Sequence, residues 1–173
     1  MTGQALGRDP EERARFDALL RETLEDLGLG YERTDEGSYL VRLEGQHKLA
    51  TMTWLVVGDH TLLVEAFFMR CPEANKGGTY QFLLERNARA YGVHFSVDAL
   101  GDIWLVGHVP LAAVTPEEID RLLACVLTYA DGNFDQAIAL GFAESIKREQ
   151  AWRAKIAAEE AAARGPGGTP DTG

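Results

Sequence analysis

The chain has 173 residues, with 17 Lys and Arg against 27 Asp and Glu, for a formal net charge of -10. One domain of that length buries enough surface to fold without a metal or disulfide staple, and 46% hydrophobic with 25% charged residues excludes wholesale disorder. The acidic balance argues against nucleic acid and anionic membrane surfaces as partners, because phosphate binding needs a basic patch that releases counterions.

The stretch from Met1 to Phe16 has no apolar core, so no signal peptide is expected. No uncharged apolar run approaches the ~20 residues that cross a membrane. The expected location is cytoplasmic. Cys71 and Cys125 form no Cys-x-x-Cys pair and have no partners at zinc spacing. Cys125, among Leu122, Leu123, Val126 and Leu127, reads as a small buried residue; Cys71, before Pro72, reads as a surface thiol.

Residues 1–8 are expected to be flexible. The first helix opens at Asp9-Pro10-Glu11-Glu12, a capping pattern, and Phe16, Leu19, Leu20, Leu24 and Leu27 form its apolar stripe up to Gly28 and Gly30. Ser38–Glu44 has the composition of a strand. Lys48–Val57 and His60–Met69 then flank Gly58-Asp59, which as a two-residue II′ turn pairs Val57 with His60. One face of that hairpin carries Leu49, Thr51, Thr53, Leu55, Val57, Leu62, Val64, Ala66 and Phe68. The other carries Ala50, Met52, Trp54, Val56, Leu63, Glu65, Phe67 and Met69. A hairpin with one wet face alternates apolar and polar residues. Both faces here are largely apolar, so the chain's own helices must cover one, and more helix or a second molecule the other.

A second helix is expected over Thr79–Tyr91, with Tyr80, Leu83, Leu84, Ala88 and Tyr91 on its buried side. Asn87 falls inside that stripe. A buried amide must find partners or cost about 1–3 kcal/mol, so Asn87 is read as satisfying strand-end backbone or, alternatively, as a ligand contact. A second hairpin, Val93–Asp98 and Asp102–Val109, turns at Leu100-Gly101 and puts Val93, Phe95, Val97, Trp104 and Val106 on one face. Thr115-Pro116-Glu117-Glu118 caps the next helix, striped by Ile119, Leu122, Leu123, Val126 and Leu127 and broken by Asp131-Gly132-Asn133. A last helix runs from Phe134 to Ala163, its charged half over 147–164 anchored only by Trp152 and Ile156. Residues 165–173 are expected to be disordered. The whole predicts one α+β domain over 9–146: a five-stranded antiparallel sheet with flanking helices, in the order α-β-β-β-α-β-β-α-α.

Catalytic patterns are missing from the sequence: no Gly-x-Ser-x-Gly, no His-Glu-x-x-His and no complete phosphate loop. Asn75-Lys76-Gly77-Gly78-Thr79 before a helix is at most a partial anion cradle. His60 is placed at a turn. A two-residue turn sends His94 and His108 to opposite faces, against a shared metal. No catalytic residue, cofactor or metal is expected.

Leu43-Glu-Gly-Gln-His-Lys48, Thr53-Trp-Leu-Val-Val-Gly-Asp-His60 and Val64-Glu-Ala-Phe67 together resemble the actinobacterial branch of the YbjN family. So do Leu83-Leu-Glu-Arg-Asn87, Gly101-Asp-Ile-Trp-Leu-Val-Gly107 and Ser145-Ile-x-Arg-Glu-x-Ala-Trp152-Arg. The resemblance covers roughly residues 10–155. It implies a sensory transduction regulator with the type III secretion chaperone fold, a helix-flanked antiparallel sheet that commonly dimerises and binds other proteins. It implies no catalytic residue.

The expected function is therefore a non-enzymatic protein-binding module, a chaperone-like or regulatory adaptor. Its expected partners are a second copy and another protein. Trp54, Leu63, Phe67 and Met69 are the candidate surface. A small-ligand-sensing regulatory domain is the alternative, and an enzyme the third reading.

Overall fold

A computed structural model describes residues 10–163. The expectations for 1–8 and 165–173, and the Asp9 cap, lie outside the described residues. Helix α1 (Pro10–Asp26) precedes four strands, β1 (Tyr31–Asp35), β2 (Ser38–Glu44), β3 (Ala50–Val57) and β4 (Thr61–Met69). Helix α2 (Lys76–Asn87), strands β5 (His94–Val97) and β6 (Ile103–Pro110), a short 3-10 turn, α3 (Pro116–Gly141) and α4 (Ala143–Ala163) complete the order. The strands form one antiparallel sheet, β1-β2-β3-β4-β6-β5.

The sheet has six strands, not the expected five. The additional one is β1, where Glu32, Arg33, Thr34 and Asp35 are all exposed. A charged edge strand buries nothing that a hydrophobic pattern could reveal, and its charges discourage edge-to-edge pairing. Its position follows from the turn: Asp35 pairs with Ser38 around Glu36-Gly37, and Gly37 has φ +72°, open to glycine at little cost. Asp17 on α1 clamps this hairpin. Its carboxylate accepts from Gly37 N (2.8 Å) and the Tyr39 hydroxyl (2.8 Å) and pairs with Arg33 (2.9 Å).

All four helices belong to one side of the chain's packing or to none. Phe16, Leu20 and Leu24 of α1 and Ile119, Leu122, Leu123 and Val126 of α3 are buried in one core with Tyr39, Val41, Leu55, Val64, Phe68 and Leu105. Thr115 caps α3 by accepting from Glu118 N at 3.2 Å. On α2 the buried side is Thr79, Phe82 and Leu83; Leu84 (63%) and Tyr91 (49%) are exposed, so the expected stripe was rotated. Cys125 and Cys71 are both half-buried, against the fully buried and surface positions expected.

Two connections differ from expectation in a way that decides which residues share a face. In the β3–β4 hairpin Val57 pairs with Leu62, not His60, around a four-residue loop closed by Gly58 N to Thr61 O at 2.8 Å. A shift of two residues leaves every side chain on its expected face. The β5–β6 connection is five residues, and Val97 pairs with Ile103. That odd shift turns Trp104 and Val106 to the face opposite Phe95, and sets His94 beside Val106 on the same face as His108. Asp98 shapes this loop, accepting from Leu100 N (2.8 Å), Asp102 N (3.0 Å) and the Trp104 indole N–H (3.0 Å).

Helix α3 runs straight through Asp131-Gly132-Asn133, where a break was expected, and stops at Phe142 (φ -132°, ψ 22°). The turn-forming side chains are used by tertiary contacts instead. Asp131 accepts from His47 N (2.8 Å) and Lys48 N (2.9 Å) of the β2–β3 loop. Asn133 donates to Tyr129 O (2.9 Å) and accepts from Arg86 (3.2 Å).

Candidate functional site

Strands alternate, so the helices that cover one sheet face leave the other to be accounted for separately. On β3 and β4 every side chain of the core face is buried, whereas Met52, Trp54, Val56, Leu63, Glu65 and Phe67 of the other face are only half-buried. The register sets this open face in rows. Leu40, Trp54, Glu65, Val106 and His94 lie across the sheet in one row, and Ser38, Val56, Leu63 and His108 in the next.

Aromatic rings cluster at its centre. Phe67 lies opposite Trp104, their rings 5.1 Å apart and near-perpendicular, the favourable edge-to-face geometry. The Trp54 and Trp104 rings are 6.4 Å apart although their strands flank β4. Two strand spacings amount to about 9.6 Å, so the indoles lean toward each other over β4. Asp98 fixes Trp104 through its indole N–H. Glu65 lies between Trp54 and Val106, half-buried, and none of the hydrogen bonds or ion pairs among the described residues reaches it.

Of the four candidate surface residues, Trp54, Leu63 and Phe67 share this face. Met69 does not. A bulge sets Phe67 and Met69 against consecutive residues of β6, so Phe68 and Met69 are both buried, Met69 at 3% exposure. Trp104 escapes the sequence reading because a two-residue turn places it on one face with Phe95, which is buried, whereas the observed register turns it to the opposite face. The signal that finds it is Asp98, whose side chain is suited to a longer Asx-type loop.

Asn87 lies at the end of α2 against β5. Its Nδ2 donates to Phe95 O (3.0 Å) and its Oδ1 accepts from Phe95 N (2.8 Å). The amide thus stands in for a neighbouring strand at the free edge of β5. In the Asn75–Thr79 loop, Thr79 N (2.9 Å) and its hydroxyl (3.1 Å) both donate to Asn75 O, and the Asn75 side chain folds against Gly78. His47 pairs with Asp135 at 2.6 Å on the surface, and His60 is exposed. Among the described residues no group of three or more His, Cys, Asp or Glu is placed to hold a metal ion, and no helix is long and apolar enough to cross a membrane.

Helix α4 leaves the body after Phe142. It has no buried residue, and Trp152 is 61% exposed. Its first turns are tied to Glu73 in the β4–α2 loop through Ser145 and Arg148.

The family model described as "Putative bacterial sensory transduction regulator" matches residues 17–139. The chain belongs to the YbjN family. An uncharacterized protein of Mycobacterium tuberculosis is 47% identical over 114 residues, 66% of this chain and 62% of its own length. One from Mycobacterium leprae is 44% identical over the same shares. The chain therefore spans less than two thirds of the curated relatives it matches. Among solved structures, YbjN from E. coli superposes with a TM-score of 0.51 at 18% identity, over 69% of this chain and 89% of that one. The HopA1–SchA chaperone–effector complex gives 0.53 at 15%, over 72% and 96%. The ExsC–ExsE complex gives 0.51 at 22%, over 71% and 93%. At these identities the likeness is one of fold: an antiparallel sheet with flanking helices, shared with YbjN and with these two complexes.

Proposed function

We propose that this YbjN-family chain is a non-enzymatic protein-binding module, a chaperone-like or regulatory adaptor of the cytoplasm that works through its open sheet face. The observation that carries the reading is the aromatic cluster of Trp54, Phe67 and Trp104, held half-exposed on a sheet whose other face is buried across β2, β3, β4 and β6. Burying apolar surface is worth about 25 cal/mol per Å² before the costs of association, and large aromatic side chains dominate such interfaces. The chaperone–effector complex among the fold's neighbours supports it. The test is capture from an extract of the source cell, comparing the wild type with a Trp54→Ala, Phe67→Asp double variant of unchanged far-UV circular dichroism. A set of proteins retained by the wild type and lost by the variant is expected. An identical set for both would remove the face from the account.

A small-ligand-sensing role has one observation in its favour. An apolar pocket of about 290 Å³ lies between the end of β4 and α3, lined by Phe67, Phe68, Phe134, Ile138 and Phe142. Lys48 lies at its rim, over the Phe134 ring at 5.6 Å, and burial holds its amine below the ordinary lysine pKa. A ligand there raises the melting temperature; a screen of aromatic and aliphatic carboxylates without any shift counts against this reading.

A further inference from the structure

We propose that two copies of this chain exchange their C-terminal helices, α4 of each lying across the open sheet face of the other. The proposal rests on the reading of that face as a protein-binding surface and names its occupant as a second copy. Two unpartnered apolar surfaces are present in one chain. One is the sheet face around Trp54, Leu63, Phe67 and Trp104. The other is the α4 stripe of Trp152 and Ile156, four residues apart and therefore neighbours on one side of the helix. Within the chain α4 packs mainly against α3 and buries none of its residues. A helix of 21 residues is about 31 Å long, enough to cross all the central strands at about 4.8 Å each.

Charge decides the pairing. Glu65 lies at the centre of the open face with no cation of its own, and covering an unpaired carboxylate with a purely apolar partner is strongly unfavourable. The occupant must bring a basic group beside its apolar anchors. On α4, Lys155 lies three residues after Trp152, and Arg148, which also reaches Glu73 at 3.7 Å in its own chain, lies four before it, on one flank of the same stripe. Lys155 is held only loosely, 3.9 Å from Glu159. The helix in turn has reason to dock, because most helical stability in proteins comes from packing an amphipathic face.

Reciprocal exchange also closes. Each copy gives one helix and receives one, which makes a two-fold dimer rather than an open chain of subunits. Phe142, with φ -132° and ψ 22°, interrupts the helix between α3 and α4.

Light scattering after size exclusion tests this on the full chain. The wild type is expected at twice the 19.0 kDa chain mass. Trp152→Asp, at a side chain that is 61% exposed in the monomer, is expected to return the mass to 19.0 kDa with unchanged circular dichroism. Glu65→Lys is expected to do the same, and adding Arg148→Glu and Lys155→Glu to restore the dimer. A wild-type monomer at every concentration overturns the proposal and leaves the adaptor reading to its capture experiment. A dimer broken by Trp54→Ala but indifferent to Trp152→Asp also overturns it, while keeping the sheet face as the binding surface. Indifference to both overturns the proposal and leaves the face to the capture experiment.

Discussion

Three polar side chains show how single residues hold this fold. The Asn87 amide satisfies both backbone groups of Phe95 at the edge of β5. Asn87→Ala leaves that N–H and C=O without partners, and urea unfolding is expected to show a loss of about 1–3 kcal/mol; an unchanged midpoint would contradict the contact. Asp17 and Tyr39 form a second such point. Burial works against the Asp17 charge, but the Gly37 N–H, the Tyr39 hydroxyl and Arg33 outweigh it, and its pKa lies below 3.8. Burial first, and then the bond to Asp17, push Tyr39 up to about 12. The signs differ. Asp17 contributes stability above pH 3.8 that fades as the pH falls through its lower folded value. Tyr39 contributes fully below pH 10, its unfolded value, and the contribution is lost as the pH rises through about 12. Stability measured across that alkaline window is expected to fall less steeply in Tyr39→Phe than in the wild type. Equal slopes would mean that Tyr39 ionises alike in the folded and unfolded chain.

At the scale of elements, the sequence read well where burial imposes a period and poorly where a side chain chooses its partner at long range. The β3–β4 faces were legible because the alternation of nine-residue β4 is strict apart from its last bulge, and a two-residue error in register preserves faces. The β5–β6 faces were not, since a five-residue loop at Asp98 in place of a two-residue turn reverses β6. That single reversal hid Trp104 and brought His94 and His108 onto one side. The candidate site was accordingly legible in Trp54, Leu63 and Phe67, and illegible in Met69, whose bulge leaves no compositional trace. Asp131-Gly132-Asn133 reads as a break because those residues favour turns, yet Asp131 and Asn133 bind the β2–β3 loop and Arg86 from within a continuous helix. Gly132 remains an ordinary exposed glycine inside α3, and a Cβ there meets nothing within 4 Å. Gly132→Ala is expected to stabilise the protein by about 0.5–1 kcal/mol. Destabilisation, measured as a lower melting temperature, would mean that the helix bends there.

For the whole molecule, the division into one packed and one open sheet face is the feature that connects fold to function. The buried sides of α1, α2 and α3 share one core, so among the described residues only α4 is left to lie over Trp54, or another chain does. A photo-crosslinking residue at position 54, compared with one at Asp120 on the exposed side of α3, reports this directly inside the source cell. Protein crosslinks are expected from position 54, to a second copy or to a distinct partner, that position 120 does not give. Position 54 remaining as unreactive as position 120 would contradict it, and the open face would then be solvent-facing in the cell.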